Sequence, residues 1–320
     1  MIINTKLLNI NLQLFAENTQ VTTQSSLSDE MKVFYSDYLI DNAVPKLVHD
    51  QFGQKHPIPK NGGKTIEFRK YSPLPKLLTP LTEGVTPDGQ SLTVSVIEAT
   101  VAQYGGYITL SDVLLMTAID NNMVQATKLL GNQAGATLDT ITREVLNGGS
   151  NVIYAGGVES RGAVTGFLTV DDVKKAVRAL KTQNAEKIDN SFVGIIHPDC
   201  SYDLTNDPKW EAVKTYDPSD WYEGEIGRIF GVRFVETTEA KVFDGGIYST
   251  LILGDNAYGV TEVEGGGLEH IVKQLGSAGT ADPLNQRATV GWKATKVAER
   301  LVEQFMVRIE SKSTFDGAVN

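Results

Sequence analysis

The sequence predicts an α+β fold, in which groups of strands and a few helices replace a regular alternation of strand and helix. Two observations favour this fold class. Apolar residues recur every three or four positions between Ser111 and Asn147, which is the period of an amphipathic helix. After Asn190, by contrast, the chain consists of short strand-like runs separated by turn residues. The 320 residues are enough for one large domain or for two to three smaller ones.

The N-terminal 16 residues are apolar enough to suggest a signal peptide, but polar residues interrupt them at alternate positions. This alternation predicts an extended arm instead, and we reject secretion. One face of the arm is apolar and consists of Ile10, Leu12 and Leu14, while the other consists of Asn9, Asn11 and Gln13. Residues 17–26 are mostly polar, which predicts a flexible tether. Ser28, with two acidic residues after it, predicts a helix that bends or ends at Pro45.

A long two-stranded flap is predicted between Lys64 and Val96. Apolar and charged residues alternate from Lys64 to Tyr71, and a second alternating run contains Leu92, Val94 and Val96. Six of the 11 prolines lie between Pro57 and Pro87. Because such a connection is too long for an ordinary hairpin loop, we expect a flap that reaches away from the body of the subunit.

The strongest periodic signal predicts one continuous helix from Ser111 to Asn147, about 55 Å long. Ser111 suits its start, and the two glycines after Asn147 suit its end. Gly131 and Gly135 lie inside it and predict either a bend or the close approach of another backbone. The apolar stripe contains Leu115, Ile119, Met123, Ala126, Leu130, Ala134, Leu138, Ile141 and Val145.

A second amphipathic helix is predicted after Thr169, which has the spacing of a capping box with Asp172. Its apolar face contains Val170, Val173, Val177 and Leu180. Its basic residues are interpreted as a solvated face, because the chain as a whole is negatively charged. Strands are then predicted at Phe192–Ile196, Val232–Val235, Tyr248–Leu253 and Ala288–Ala294, and in a last run where Phe305, Val307 and Ile309 alternate with Gln304, Met306 and Arg308.

Composition excludes several classes of protein. With 39 acidic and 29 basic residues the net charge is −10, which argues against tight binding of nucleic-acid phosphates. A single cysteine, Cys200, cannot form an intrachain disulfide. No stretch approaches the roughly 20 apolar residues of a membrane helix, so no membrane partner is expected.

The residues that could carry chemistry do not combine into a site. The four histidines lack the spacing of a helical zinc site. The segment from His197 to Cys200 brings together a base, a carboxylate and a thiol, but a helix start with Asp199 as N-cap is the favoured interpretation. The glycines near Gly227 and Gly266 lack the spacing of nucleotide-binding loops. Trp210, with Trp221 and Tyr222, is expected to be partly buried and not a binding surface. The sequence therefore predicts no catalytic, cofactor-binding or metal-binding residues and no enzyme.

Several phrases of the sequence carry a family resemblance. Residues 11–16 resemble an opening that is common in capsid proteins of phages of Gram-positive hosts, and residues 81–85 and 104–107 resemble the flap and its exit. Residues 224–232 resemble a phrase of many capsid families. The most specific piece, Asp282–Arg287 followed by Val290–Lys293, is similar to the C-terminal signature of the family typified by phage N-four. The chain thus resembles a tailed-bacteriophage major capsid protein of the Hong Kong 97-like fold.

The resemblance implies five regions of the chain. They are an N-terminal arm and first helix (1–56), an E-loop (57–105), a P-domain with a long spine helix (106–189), an A-domain (190–285) and a P-domain return strand (286–320).

The resemblance also implies a function. The chain would self-assemble as hexamers and pentamers into an icosahedral head that encloses the phage genome without sequence-specific DNA binding. Its expected partners are a portal and a separate scaffolding protein, since the arm is short for a fused scaffold. It would be found in the virion after assembly in the host cytoplasm. The alternative is the shell of a cellular nanocompartment with the same fold. An enzyme that uses the His197–Cys200 segment would need an accessible Cys200 within hydrogen-bond reach of a base.

Overall fold

The structure is a computed structural model that describes residues 48–59, 63–71, 74–81, 83–84, 86, 88–118, 122–210, 227–261, 268–277 and 282–315. The predicted arm strand, its polar tether and the helix from Ser28 lie outside the described residues.

The first half of the described chain contains one long helix and several strands. In chain order the elements are β1 (Gln54–Lys55), β2 (Thr65–Tyr71), β3 (Val94–Thr100), β4 (Ala102–Ser111), α1 (Asp112–Thr117), α2 (Asn122–Asn147), β5 (Val152–Tyr154) and α3 (Val170–Thr182). Short 3-10 turns at Ala155–Gly157 and Arg161–Ala163 connect β5 to α3.

The second half is mostly strand. It contains β6 (Phe192–Ile196), α4 (Pro198–Thr205), β7 (Arg228–Ile229), β8 (Val232–Glu236), β9 (Val242–Phe243), β10 (Ile247–Leu253), β11 (Tyr258–Thr261), β12 (Glu269–Lys273), β13 (Arg287–Arg300) and β14 (Met306–Ser311). The predicted strands at 192–196, 232–235, 248–253 and 288–294 are confirmed within one residue, except that β13 continues to Arg300.

The described strands form three sheets. The largest has the order β5-β14-β10-β6-β8-β7, with β9 on β10. In the second, β13 pairs with β4, β11 and β12, and β1 joins β11 in parallel. The third is the antiparallel pair of β2 and β3, which confirms the predicted pairing of the flap strands.

The main core lies on one face of the largest sheet. There α3 buries its predicted apolar face, Val170, Val173, Val177 and Leu180, against strand residues such as Ile252 and Ile309. The N-cap of the predicted capping box is present, because Thr169 Oγ1 accepts a hydrogen bond from the Asp172 amide at 3.3 Å, while the Asp172 carboxylate accepts from the Thr169 hydroxyl at 2.7 Å. A second core on the opposite face contains Leu146 and Tyr258. The central strands of this sheet are therefore buried on both faces.

The prediction of one continuous helix from Ser111 is wrong. Ser111 does cap α1, with its Oγ 3.2 Å from the Leu114 amide. The helix then ends at Ala118, whose backbone is extended. Helix α2 begins at Asn122 and has 26 residues, or about 39 Å. No residue of α1 is buried, so its apolar residues gain little from packing that would hold it in line with α2.

The predicted stripe describes only the first half of α2. Ala126, Leu130 and Ala134 are buried, and the latter two pack on Val290 and Trp292 of β13. Farther along, Leu138, Ile141 and Val145 are only partly buried. The buried positions there include the polar residues Asp139, Thr142 and Arg143. Gly131 faces open space, so it does not serve a close backbone approach. The predicted end at Asn147 is confirmed.

The last strand also differs from its prediction. Residues Glu303–Phe305 form a 3-10 turn, and β14 runs from Met306 to Ser311. All six strand residues are buried, including Arg308, because β14 lies between β5 and β10 inside the largest sheet. Both faces of β14 are thus in the interior.

Candidate functional site: an exposed apolar loop and its anchors

The segment from His197 to Cys200 starts helix α4, and the N-cap is His197 rather than Asp199. Nδ1 of His197 accepts a hydrogen bond from the Asp199 amide at 3.2 Å. Pro198 occupies the first helical turn, where its missing N–H is not needed, and this places the cap one residue before it. The Asp199 carboxylate instead accepts a hydrogen bond from the Tyr248 hydroxyl at 2.5 Å. Burial lowers the pKa of His197, against the opposing charges of Asp199 and Glu236.

Cys200 meets neither requirement of a nucleophile. Its side chain is fully buried in the main core. Its Sγ lies 3.7 Å from the Ser311 hydroxyl, which is not a base. Burial raises the pKa of the thiol to about 12. The hypothesis of nucleophilic catalysis at this segment therefore has no support, since the thiolate is the reactive form.

We expect Cys200 to resist thiol reagents in the folded subunit at pH 8 and to react at once in denaturant. Because its folded pKa is above the ordinary value of about 8.5, folding is favoured below that value. This stabilisation declines as the pH rises toward about 12. Absorbance titration with a chromogenic disulfide measures both states. Rapid stoichiometric labelling of folded protein at pH 8 would contradict the buried placement.

The other candidate residues are structural or lie outside the described chain. Trp210 is buried beside Phe234, with ring centroids 6.3 Å apart, so it does not form a binding surface. Trp221, Tyr222 and Gly266 lie outside the described residues. Within the described ranges there is no group of three or more potential metal ligands from His, Cys, Asp and Glu. Among the described helices, none has the length and apolar character that a membrane crossing requires.

The most unusual surface is the connection between β2 and β3. Leu77 and Leu78 are 77% and 85% exposed, and Leu74, Leu81 and Leu92 are exposed as well. Each fully buried leucine would contribute about 1.5–3 kcal/mol. A cluster of solvent-exposed aliphatic side chains indicates an interaction surface. We call residues 65–100, which comprise β2, β3 and this connection, the flap.

The flap is fixed to the subunit at its base. There the Phe68 ring lies over Gly259 of β11, where an added Cβ would be 2.9 Å from a ring carbon. Only glycine leaves room for this contact. His56 packs edge-on against the same ring, with centroids 5.7 Å apart. The flap thus has a packed base and an exposed apolar connection.

A first buried polar cluster anchors residues 48–53, where the described chain begins. The carboxylate of Asp139 on α2 binds His49 twice, accepting from its amide at 2.8 Å and lying 2.7 Å from Nδ1. The Tyr258 hydroxyl donates to the His49 carbonyl. Asp50 accepts hydrogen bonds from Thr142 of α2 and Lys296 of β13. Burial raises the pKa of Tyr258. The point where the N-terminal region enters the fold is therefore held by α2 and β13 together.

A second buried cluster joins the end of α2 to the largest sheet. Glu310 of β14 receives two hydrogen bonds from Arg161, both 2.7 Å long, and one from Arg308 at 2.8 Å. Arg308 also donates to the carbonyl of Asn147, the last residue of α2. The Arg161 guanidinium lies 3.6 Å from the centre of the Phe243 ring. Burial lowers the pKa of Arg308, and Glu310 opposes that shift.

Sequence reasoning missed both clusters. The signals that could have indicated them are weak: opposite charges two residues apart in a strand at Arg308 and Glu310, and polar residues at helical spacing at Asp139 and Thr142. Neither signal identifies the partner residue on another element, because the topology of the fold determines that partner.

Comparison with known proteins decides between the capsid, nanocompartment and enzyme interpretations of the sequence. A family model described as phage capsid protein matches residues 95–305, which is more than half of the chain. The chain belongs to the phage capsid protein family. No curated protein sequence matches it.

Solved structures agree with the fold of this capsid protein. The capsid structure of the cyanophage P-SCSP1u is 13% identical, with a TM-score of 0.65 over 90% of this chain and 93% of that chain. The capsid asymmetric unit of cyanophage Pam1 is 15% identical, with a TM-score of 0.64 over 94% of this chain and 100% of that chain. The fold is therefore α+β and Hong Kong 97-like, as the resemblance implied.

The SrpI encapsulin complex of Synechococcus elongatus also matches, at 10% identity and a TM-score of 0.53 over 95% of this chain and 96% of that chain. It is the weaker match, and the family model is that of a phage capsid protein. This chain is thus a major capsid protein, a shell-forming structural component of the virion that associates with copies of itself. The exposed leucines of the flap are a suitable surface for such association.

Proposed function

We propose that this capsid protein forms hexamers and pentamers that close into an icosahedral head around packaged DNA. The single observation that carries the proposal is the solvent exposure of several leucines in the connection of the flap, which the subunit itself does not bury. In a closed shell every subunit has neighbours, so each flap can be buried against another copy. The net charge of −10 suits a container that encloses DNA without gripping its phosphates or reading its sequence.

We assign the five regions as the resemblance implies: arm and first helix 1–56, E-loop 57–105, P-domain 106–189, A-domain 190–285 and return strand 286–320. The flap and the long helix α2 support the assignment of the second and third regions. The sheets cross the other boundaries. Strands β11 and β12 pair with β13, and β14 belongs to the sheet of β6, β8 and β10. The assignment stays a proposal.

The partners and compartment are part of the same proposal. A separate scaffolding protein guides assembly in the host cytoplasm, and a portal occupies one vertex. The protein is not an enzyme, which agrees with the buried thiol of Cys200. A nanocompartment shell is the second candidate because of the encapsulin match. Adjacent portal and terminase genes would favour the phage head, and an adjacent cargo enzyme would favour the compartment.

Sedimentation and negative-stain microscopy test the proposal. We expect the protein at micromolar concentration, expressed with the products of its neighbouring genes, to form particles or rings far heavier than the 34.8 kDa subunit. The Thr79→Ala variant, which alters an exposed polar residue between the flap leucines, should do the same. A protein that stays monomeric under all these conditions would contradict the shell function.

A further inference from the structure

The exposed face of helix α3 carries a stripe of cations. Lys174, Arg178 and Lys181 are four and three residues apart and are all exposed, so they lie on one side of the helix. Lys174 has a carboxylate nearby, that of Asp171 at 3.6 Å. Arg178 and Lys181 form no ion pair with any described residue. In a chain of net charge −10, this face is therefore a local region of positive charge.

A tight hairpin lies against this stripe. Strands β7 and β8 pair at Ile229 and Val232, which leaves Phe230 and Gly231 as a two-residue turn. The φ angles of these two residues are +49° and +79°, and a type I′ turn requires positive values at both positions. Such a turn favours asparagine and glycine, so the phenylalanine is strained. Backbone strain of this kind is concentrated at functional sites.

The Phe230 ring does not serve the core. It is 41% exposed and lies outside the main core. Lys174 Nζ is 4.6 Å from the ring centre, which is a cation–π distance. Lys187 Nζ also lies at the turn, 3.8 Å from the position that a Cβ would take on Gly231. An exposed aromatic ring is thus bordered by cations from α3 and from the loop that follows it.

A groove of about 620 Å³ separates the turn from α3. Its lining consists of Phe230, Val177, Thr182 and the three cations of α3, and it includes no carboxylate among the described residues. The volume is within the roughly 300–1,000 Å³ of ligand pockets. Cations beside an exposed aromatic ring are the combination that binds nucleotides, because the ring stacks on the base and the cations contact the phosphates.

Duplex DNA and acidic peptides fit this groove less well. A duplex keeps its bases stacked on each other, and the net charge of the chain repels its many phosphates. An acidic peptide would use the cations but would give no reason for a strained aromatic residue at the turn. A nucleotide uses both features, and stacking accepts any base.

We propose that the groove between α3 and the β7–β8 turn binds a base with its phosphates, in a single-stranded DNA segment or in a free nucleoside triphosphate. The Phe230 ring stacks on the base, while Arg178, Lys181 and Lys187 contact phosphates. The inference goes beyond the proposed shell function and does not depend on it. Because stacking carries no sequence information, the site agrees with a container that does not read its DNA.

Fluorescence anisotropy with a labelled short oligothymidine tests the site on the free subunit. We expect binding that weakens with salt, with a slope of log K against log salt of about −2 for three phosphate contacts. Replacing Arg178 and Lys181 with glutamine should reduce the magnitude of that slope by about 1.4. The matched control is Lys76→Gln combined with Lys273→Gln, which removes the same charge from exposed lysines elsewhere and should leave the slope unchanged.

Phe230→Asn separates a binding role from a structural one. Asparagine suits the positive φ of the turn, so this variant should be at least as stable as the unmodified subunit in thermal unfolding. It should nevertheless bind oligothymidine at least about fivefold more weakly, because the stacking ring is gone. A destabilised variant with unchanged binding would show that the ring is structural and would contradict the proposal.

Competition identifies the source of the nucleotide. Thymidine triphosphate that displaces the label as well as unlabelled oligothymidine does would support a free-nucleotide site, and displacement only at more than about tenfold higher concentration would support single-stranded DNA.

Three outcomes would overturn the proposal while leaving the shell function intact. They are no binding of either nucleotide probe, displacement by inorganic tripolyphosphate as effective as that by thymidine triphosphate, and tighter binding of a polyglutamate peptide than of oligothymidine. The last outcome would identify an acidic peptide as the occupant of the groove.

Discussion

Replacing Leu77 and Leu78 with serine should abolish or strongly impair assembly while leaving the isolated subunit as stable as before. Both side chains are almost fully exposed, so the free energy of unfolding should change by no more than about 0.5 kcal/mol. If a neighbour buries them, their loss removes roughly 1.5–3 kcal/mol each from every contact. The protein concentration needed for assembly should then rise by at least about 100-fold. Light scattering across a concentration series measures this.

The control is Lys76→Ala combined with Thr79→Ala, which alters exposed neighbours of the leucines and leaves both leucines in place. It should assemble at the concentration of the unmodified protein. Limited proteolysis gives a second measure, because the Tyr71–Gln90 connection should be cleaved in free subunits and protected in particles. Normal assembly of the serine variant, or equal cleavage in both states, would contradict the interface role of the flap.

Glu310→Gln should destabilise the subunit by about 3–5 kcal/mol, a large part of the usual stability of a domain. Glu310 is fully buried and accepts hydrogen bonds from both Arg161 and Arg308. The amide removes the negative charge, so Arg308 stays buried without its ion-pair partner. Urea unfolding monitored by circular dichroism measures the change.

Glu269→Gln is the matched control, because it makes the same chemical change in the exposed Glu269–Lys293 pair. Its cost should be less than about 1 kcal/mol. Replacing both buried partners, as in Glu310→Leu with Arg308→Met, should recover much of the lost stability, since no buried charge is left unpaired and the Arg161 side chain, which is 40% exposed, can be solvated. Equal effects of the two glutamine variants would show that the Glu310 network contributes little.

The parts of the fold that sequence could predict are those fixed by local chemistry. The N-cap at Thr169 and the apolar period of α3 act within a few residues, and both are present as predicted. The same holds for β6, whose boundaries are confirmed. The amphipathic or apolar pattern of each element lies in its own residues, so the sequence alone predicts it.

Two predictions were wrong where contacts with elements distant in sequence determine the local structure. The apolar stripe runs on past Ala118, but no residue of α1 is buried, so periodicity alone could not locate the break. The run predicted for the last strand begins at Gln304, yet residues 303–305 form a 3-10 turn, and strands on both sides and cores on both faces bury Arg308. Its partners Arg161 and Asn147 lie far away in sequence. The bare leucines of the flap were not predictable either, because a proline-rich sequence does not say which side chains remain uncovered.

The buried cluster at His49 and Asp50 determines how mechanical load enters the subunit. Tension on the chain before Val48, such as a neighbour's rearrangement would exert, arrives first at these two residues. It passes to α2 through Asp139 and to β13 through Lys296. The flap meets the same framework through the contact of Phe68 with Gly259 of β11, the residue next to Tyr258, whose hydroxyl donates to the His49 carbonyl. Tension on the N-terminal chain and tension on the flap therefore converge on β11, and a shell built from such subunits would transmit a load applied at one attachment to the other through the same strand.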